Sequence, residues 1–135
     1  MNSIPDELTD LLHYCHSLAK LLLEEQGEFY PFGVYLNLSN VITQRMFHDG
    51  DDFPLSTGLI NIIKYDFDHQ LAAGSILGSA ITYEARITNE QYADSVQVIV
   101  VRLSNSRLQP GMFSYLPYRI TDNKIKYLPA WTEME

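Results

Sequence analysis

The chain has a single cysteine, Cys15, among 135 residues. One thiol excludes an internal disulfide and suits a reducing compartment. No apolar run approaches the roughly 18 residues that a membrane-spanning helix needs. Residues 1–10 carry acids and a proline, and they lack the basic start and apolar middle of a signal peptide. The expected location is therefore cytoplasmic. Bases are scarce: 9 Lys and Arg stand against 17 Asp and Glu, a formal charge of −8. Affinity for nucleic acid comes mainly from basic residues that displace counterions from phosphate. A chain with no run of Lys or Arg is a poor fit for nucleic acid or for an anionic membrane surface. The charge suits a partner that is itself basic, or simple solubility. Repeats, linkers and low-complexity segments are also missing, so one α+β domain is expected across residues 1–135.

The composition is 46% hydrophobic and 19% charged, which is ordinary for a globular domain. Leu8, Leu11, Leu12, Cys15, Leu18, Ala19, Leu22 and Leu23 recur at spacings of three and four, an amphipathic helix. Ser3 and Pro5 suit its start and Gly27 its end. Residues 29–38 and 41–47 read as a strand pair about the Ser39-Asn40 turn. Pro31 near the first strand's start suggests an edge or a bulge. A second helix runs from about Pro54–Ser56 to Gly74. Residues 76–88 alternate, with Ile81, Tyr83, Ala85 and Ile87 on one face. Residues 96–103 are apolar on both faces, as in a central, covered strand. Residues 112–121 and 124–128 flank Asp122-Asn123, a tight hairpin signal. The predicted fold is an antiparallel sheet of about five strands with two main helices packed on it, in the order α-β-β-α-β-β-β(-β). That order resembles the profilin-like and roadblock-like arrangements.

Gly27-Glu28-Phe29-Tyr30-Pro31-Phe32-Gly33 is the most distinctive stretch. Its simplest role is structural, with Phe29, Phe32 and Tyr30 clamping the first helix onto the sheet. A functional role would place Glu28 and Tyr30 on a pocket or binding edge. The stretch resembles one in a family of small, uncharacterised bacterial proteins. There too an N-terminal helix runs into this motif, and a Pro-Tyr pair lies near the end, as Pro117-Tyr118 does here. The resemblance implies no reaction.

The remaining candidates each have a plain structural reading. His48, Asp49, Asp51 and Asp52, with Asp66, Asp68 or His69, supply donors for a hard cation, but their spacing matches no calcium loop. A solvated loop is expected and no metal is assigned. His13 and His16 lack the His-Glu-x-x-His pattern of a zinc protease and read as surface or boundary residues. Cys15 lies on the apolar stripe, where a buried, inert thiol is expected. Gly74-Ser75-Ile76-Leu77-Gly78-Ser79 precedes a strand rather than a helix, the wrong order for a phosphate cradle. No nucleophile elbow, phosphate loop or dinucleotide fingerprint occurs, so no catalytic residue and no cofactor is assigned. Nine tyrosines are present. Tyr115, Tyr118, Tyr127 and Trp131 gather in the last hairpin, where they seal the sheet rim or anchor a partner.

These observations favour a non-catalytic protein-binding module. Its concrete form is an immunity protein whose acidic surface meets a basic toxin domain. The binding candidates are Glu28, Tyr30, Tyr115, Tyr118 and Trp131. The alternative is a small-ligand-binding domain, or an enzyme of unfamiliar type, with a pocket near Glu28 and Tyr30. A third reading is a homo-oligomer joined through an open sheet edge.

Overall fold

The computed structural model describes residues 4–45, 56–106 and 108–135. Helix α1 spans Asp6–Gln26 and helix α2 spans Ser56–Ala72. The strands are β1 (Phe32–Leu36), β2 (Ile42–Arg45), β3 (Gly78–Ile87), β4 (Val96–Asn105), β5 (Leu108–Thr121), β6 (Lys124–Tyr127) and β7 (Trp131–Met134). The fold is therefore α+β, with one antiparallel sheet in the order β2-β1-β3-β4-β5-β6 and with β7 also on β5.

The sheet has seven strands rather than about five. Six of them match the sequence ranges, and the strand beyond those is β7, which Pro129 separates from β6. Both lie along the same edge of β5, since Tyr118 pairs with Tyr127 and Tyr115 with Trp131. Between those pairs, residues 128–130 face only residues 116–117, a one-residue bulge in a single broken strand. Pro117, which has no N–H to give, lies opposite this bulge, and its carbonyl accepts from the Leu128 N–H at 2.9 Å. The Pro31 expectation is also corrected. Strand β1 is interior, between β2 and β3, and starts just after the proline.

Side-chain alternation sorts the core into two layers. On one face Leu8, Leu11, Leu12, Cys15, Ala19 and Leu23 of α1 pack on Val34, Leu36, Ala80, Ile99, Val101, Leu103, Leu116 and Tyr118. Each buried leucine contributes about 2 kcal/mol from lost apolar exposure. Gly27 closes α1 at φ 79°, donating to the Leu23 carbonyl at 2.9 Å. On the other face Ile63, Phe67 and Leu71 of α2 pack on Ile76 and Ile81. A Cβ on Gly33 would lie 2.8 Å from the Phe67 ring, so only glycine permits α2 to sit this close to β1.

Helix α2 packs mainly on β1 and β3, and among the described contacts it reaches β4 through the Asp68–Arg102 bond. Beyond it, the same face of β4, β5 and β7 carries no helix among the described residues. This asymmetry creates the candidate site.

Candidate functional site

Val96, Val98 and Val100 form the buried floor of the helix-free region. Over them lie Tyr83, Ala85, Ile87, Tyr92, Phe113, Tyr115, Leu128 and Trp131, all only partly buried. Four of the rings form a row. Phe113 and Tyr115 alternate along β5 with centroids 6.0 Å apart. Tyr115 is the cross-strand neighbour of Trp131, with ring centroids at 5.2 Å and planes 24° apart. Trp131 in turn stacks on Tyr92 at 6.3 Å and 19°. Tyr92 comes from the loop between β3 and β4. Its own N–H donates to Asn89 Oδ1 at 2.8 Å, and its carbonyl accepts from the Asn89 and Ser95 N–H groups. That tight turn holds the ring over the end of the row.

Charge frames the row unevenly. Arg119, two places along β5 from Pro117, sets its guanidinium 5.8 Å from the Tyr92 centroid. Next along the row Glu133 accepts from the Trp131 indole N–H at 3.3 Å. The Tyr115 hydroxyl is held above its usual pKa first by burial and then by the nearby Glu133 carboxylate. A cleft of about 480 Å³ opens beside Trp131, lined also by Asn89, Glu90, Gln91, Pro129 and Ala130.

The five sequence candidates fall into two groups. Tyr115 and Trp131 meet in the aromatic row. Tyr118 lies on the other face, 4% exposed, beside Tyr127. Its hydroxyl donates to Glu84 Oε1 at 2.9 Å. Burial, that hydrogen bond and the Glu84 charge all raise its pKa. Glu84 also accepts from the Phe29 N–H at 3.4 Å, tying the turn after α1 to β3. Glu28 lines an open groove of about 870 Å³ together with Glu84, Arg86, Asp94, Tyr118 and Arg119. Tyr30, 53% exposed, borders a smaller depression shared with Leu22, Glu28 and Glu84. Sequence reading missed Phe113 and Glu84. Phe113 was signalled by its period-two spacing from Tyr115, and Glu84 by being an acid inside an apolar strand.

The other polar residues disperse. Asp66 pairs with Arg45 at 2.7 Å, whereas Asp68 bonds Arg102 at 3.2 Å and His69 stacks on Tyr65. The loop residues His48, Asp49, Asp51 and Asp52 lie outside the described residues, as does Ser3. No group of three potential metal ligands converges among the described residues. Cys15 is buried, which pushes its thiol up to about 12. His13 is exposed. His16 is mostly buried, and its Nε2 finds no hydrogen-bond partner among the described residues. Burial, Lys20 and His13 together lower its pKa to about 4. No helix among the described residues is long and apolar enough to cross a membrane. No protein-family model, curated protein or solved structure matches this chain.

Proposed function

We propose that the chain is a non-catalytic protein-binding module whose partner docks on the helix-free half of the sheet. The observation that carries this reading is the row Phe113–Tyr115–Trp131–Tyr92, partly exposed over a fully apolar floor. Aromatic side chains give large contact area at little rotamer cost, and such rings anchor interfaces. A net charge of −8 favours a basic partner and speeds its approach. Neutralisation of a basic toxin domain by an immunity protein is the specific form that fits these properties.

The test compares the native chain with the double variant Tyr115→Ala/Trp131→Ala in affinity capture from host extract. Thermal melts of both proteins confirm that the variant is folded. Proteins retained by the native chain and lost from the folded variant support the reading. An identical set of retained proteins contradicts it.

One observation favours a ligand-binding reading instead: the groove of about 870 Å³ that holds Glu28, Glu84, Arg86 and Arg119. Its polar floor is satisfied internally, because Tyr118 and the Phe29 N–H both bond Glu84. That arrangement stabilises the fold without any ligand. Recovery of a small molecule with the native chain, and its loss on Glu84→Gln substitution, would favour the groove.

A further inference from the structure

We infer that the occupant of the aromatic row is an arginine side chain of a basic protein segment, held over Trp131 and Tyr115 and paired with Glu133. This rests on the docking reading above and names its chemistry. Three observations converge on it.

First, the row is already cation-receptive at one end. The guanidinium of Arg119 lies 5.8 Å from the Tyr92 centroid, a distance at which the ring quadrupole attracts a cation. The chain thus supplies its own arginine to Tyr92 but none to Trp131 or Tyr115 among the described residues. Second, acids stand beside Trp131. Glu133 touches the indole N–H of Trp131, and Glu90 lines the cleft beside that ring. Neither carboxylate stands in an ion pair among the described residues. Glu135 on the same strand edge is different, since it is consumed by Arg102 at 2.8 Å. Third, the cleft of about 480 Å³ beside Trp131 lies within the size range of pockets that take small groups.

Arginine fits better than lysine on physical grounds. Its guanidinium is planar, stacks flat on rings, and is less strongly hydrated than an ammonium. It can lie on the indole and still donate two parallel hydrogen bonds to one carboxylate. Arg119 already covers Tyr92, which leaves the Trp131–Tyr115 part of the row for the occupant.

Trp131 is the only tryptophan, so its emission reports on this site alone. The test titrates the full chain with three Gly-Ser peptides that carry two arginines, two lysines or two leucines. Tryptophan fluorescence and calorimetry are the readouts. The arginine peptide should change Trp131 emission saturably and bind at least about 5-fold more tightly than the lysine peptide, the effect of about 1 kcal/mol of stacking. Glu133→Gln should weaken it roughly 5-fold. By calorimetry Trp131→Ala should abolish binding while Trp131→Phe retains part of it, which separates ring loss from misfolding. Equal binding of the lysine peptide would signal general attraction to an acidic chain and overturn the inference. Tighter binding of the leucine peptide would overturn it while leaving the docking face intact. If no peptide perturbs Trp131, the arginine inference fails, and the capture experiment above decides the docking reading separately.

Discussion

At the residue scale, a glycine and a histidine each carry a testable consequence. Gly33 sits under Phe67 and Ile63, where an added methyl group would come within 2.8 and 2.9 Å of them. Both neighbours are buried and cannot swing into solvent. Gly33→Ala should therefore destabilise the protein by about 1–3 kcal/mol, read as a lower urea midpoint with an unchanged slope. An unchanged midpoint would show that α2 can retreat from β1 at no cost. His16 carries the opposite kind of strain, a polar atom with no hydrogen-bond partner among the described residues. Its pKa falls from an ordinary 6.5 to about 4 through burial and the nearby Lys20 and His13. The unfolded chain thus binds the proton more readily than the folded one. Stability from neutral His16 is complete above pH 6.5 and is lost as the pH falls toward 4. His16→Gln should flatten the stability profile across that window. Glu135 acts in a lower window. The Arg102 hydrogen bond, with smaller help from the Gly111 N–H, lowers its pKa against a burial effect in the opposite direction. Its contribution is lost only as the pH drops below the ordinary carboxylate range.

At the element scale, β7 is the strand that presents Trp131, and a single clamp locks it. The Arg102 side chain, only 7% exposed, donates through Nε and Nη2 to the two oxygens of Glu135, each at 2.8 Å. Its Nη1 reaches Asp68 of α2 at 3.2 Å. The Gly111 N–H adds a further bond to Glu135 Oε1 at 2.8 Å. Glu135→Ala leaves Arg102 with one acid, so β7 should fray. Amide exchange at residues 132–134 should rise strongly while β4 keeps its protection, and Trp131 emission should shift red. Unchanged exchange would mean that the ladder to β5 suffices to hold the strand. The clamp illustrates what a sequence conceals. Arg102 and Glu135 are 33 positions apart, and nothing local marks them as partners. Helix α1, by contrast, was legible residue by residue, because its stripe is a local pattern that burial merely ratifies. Strand β7 was hidden behind Pro129, which interrupts the alternation that continues through Trp131. The site was half legible. Tyr115 and Tyr118 differ by three positions, and strand periodicity alone places them on opposite faces. Their apparent clustering with Trp131 came from sequence proximity rather than from the pleat.

At the scale of the whole molecule, the unequal cover of the sheet leaves a broad aromatic surface on the helix-free side among the described residues. Helix α1 seals one layer, whereas α2 packs mainly on β1 and β3 on the other. The remaining rings stay partly open over a valine floor in a chain of charge −8. Such a surface is costly to leave in water and useful only when covered. Under the proposed docking, charge steers and the rings retain, so raising salt should slow association with a basic partner and leave its dissociation rate nearly unchanged. A salt-independent association rate would remove charge from the account. The most direct test of the docking face is site-specific photo-cross-linking in the native host. A benzophenone amino acid replaces Phe113 in the aromatic row, or Leu21 on the outer side of α1 as the control. A discrete adduct from position 113, competed away by excess native chain and absent from position 21, is the predicted result. A competed adduct from position 21 with none from position 113 would contradict it.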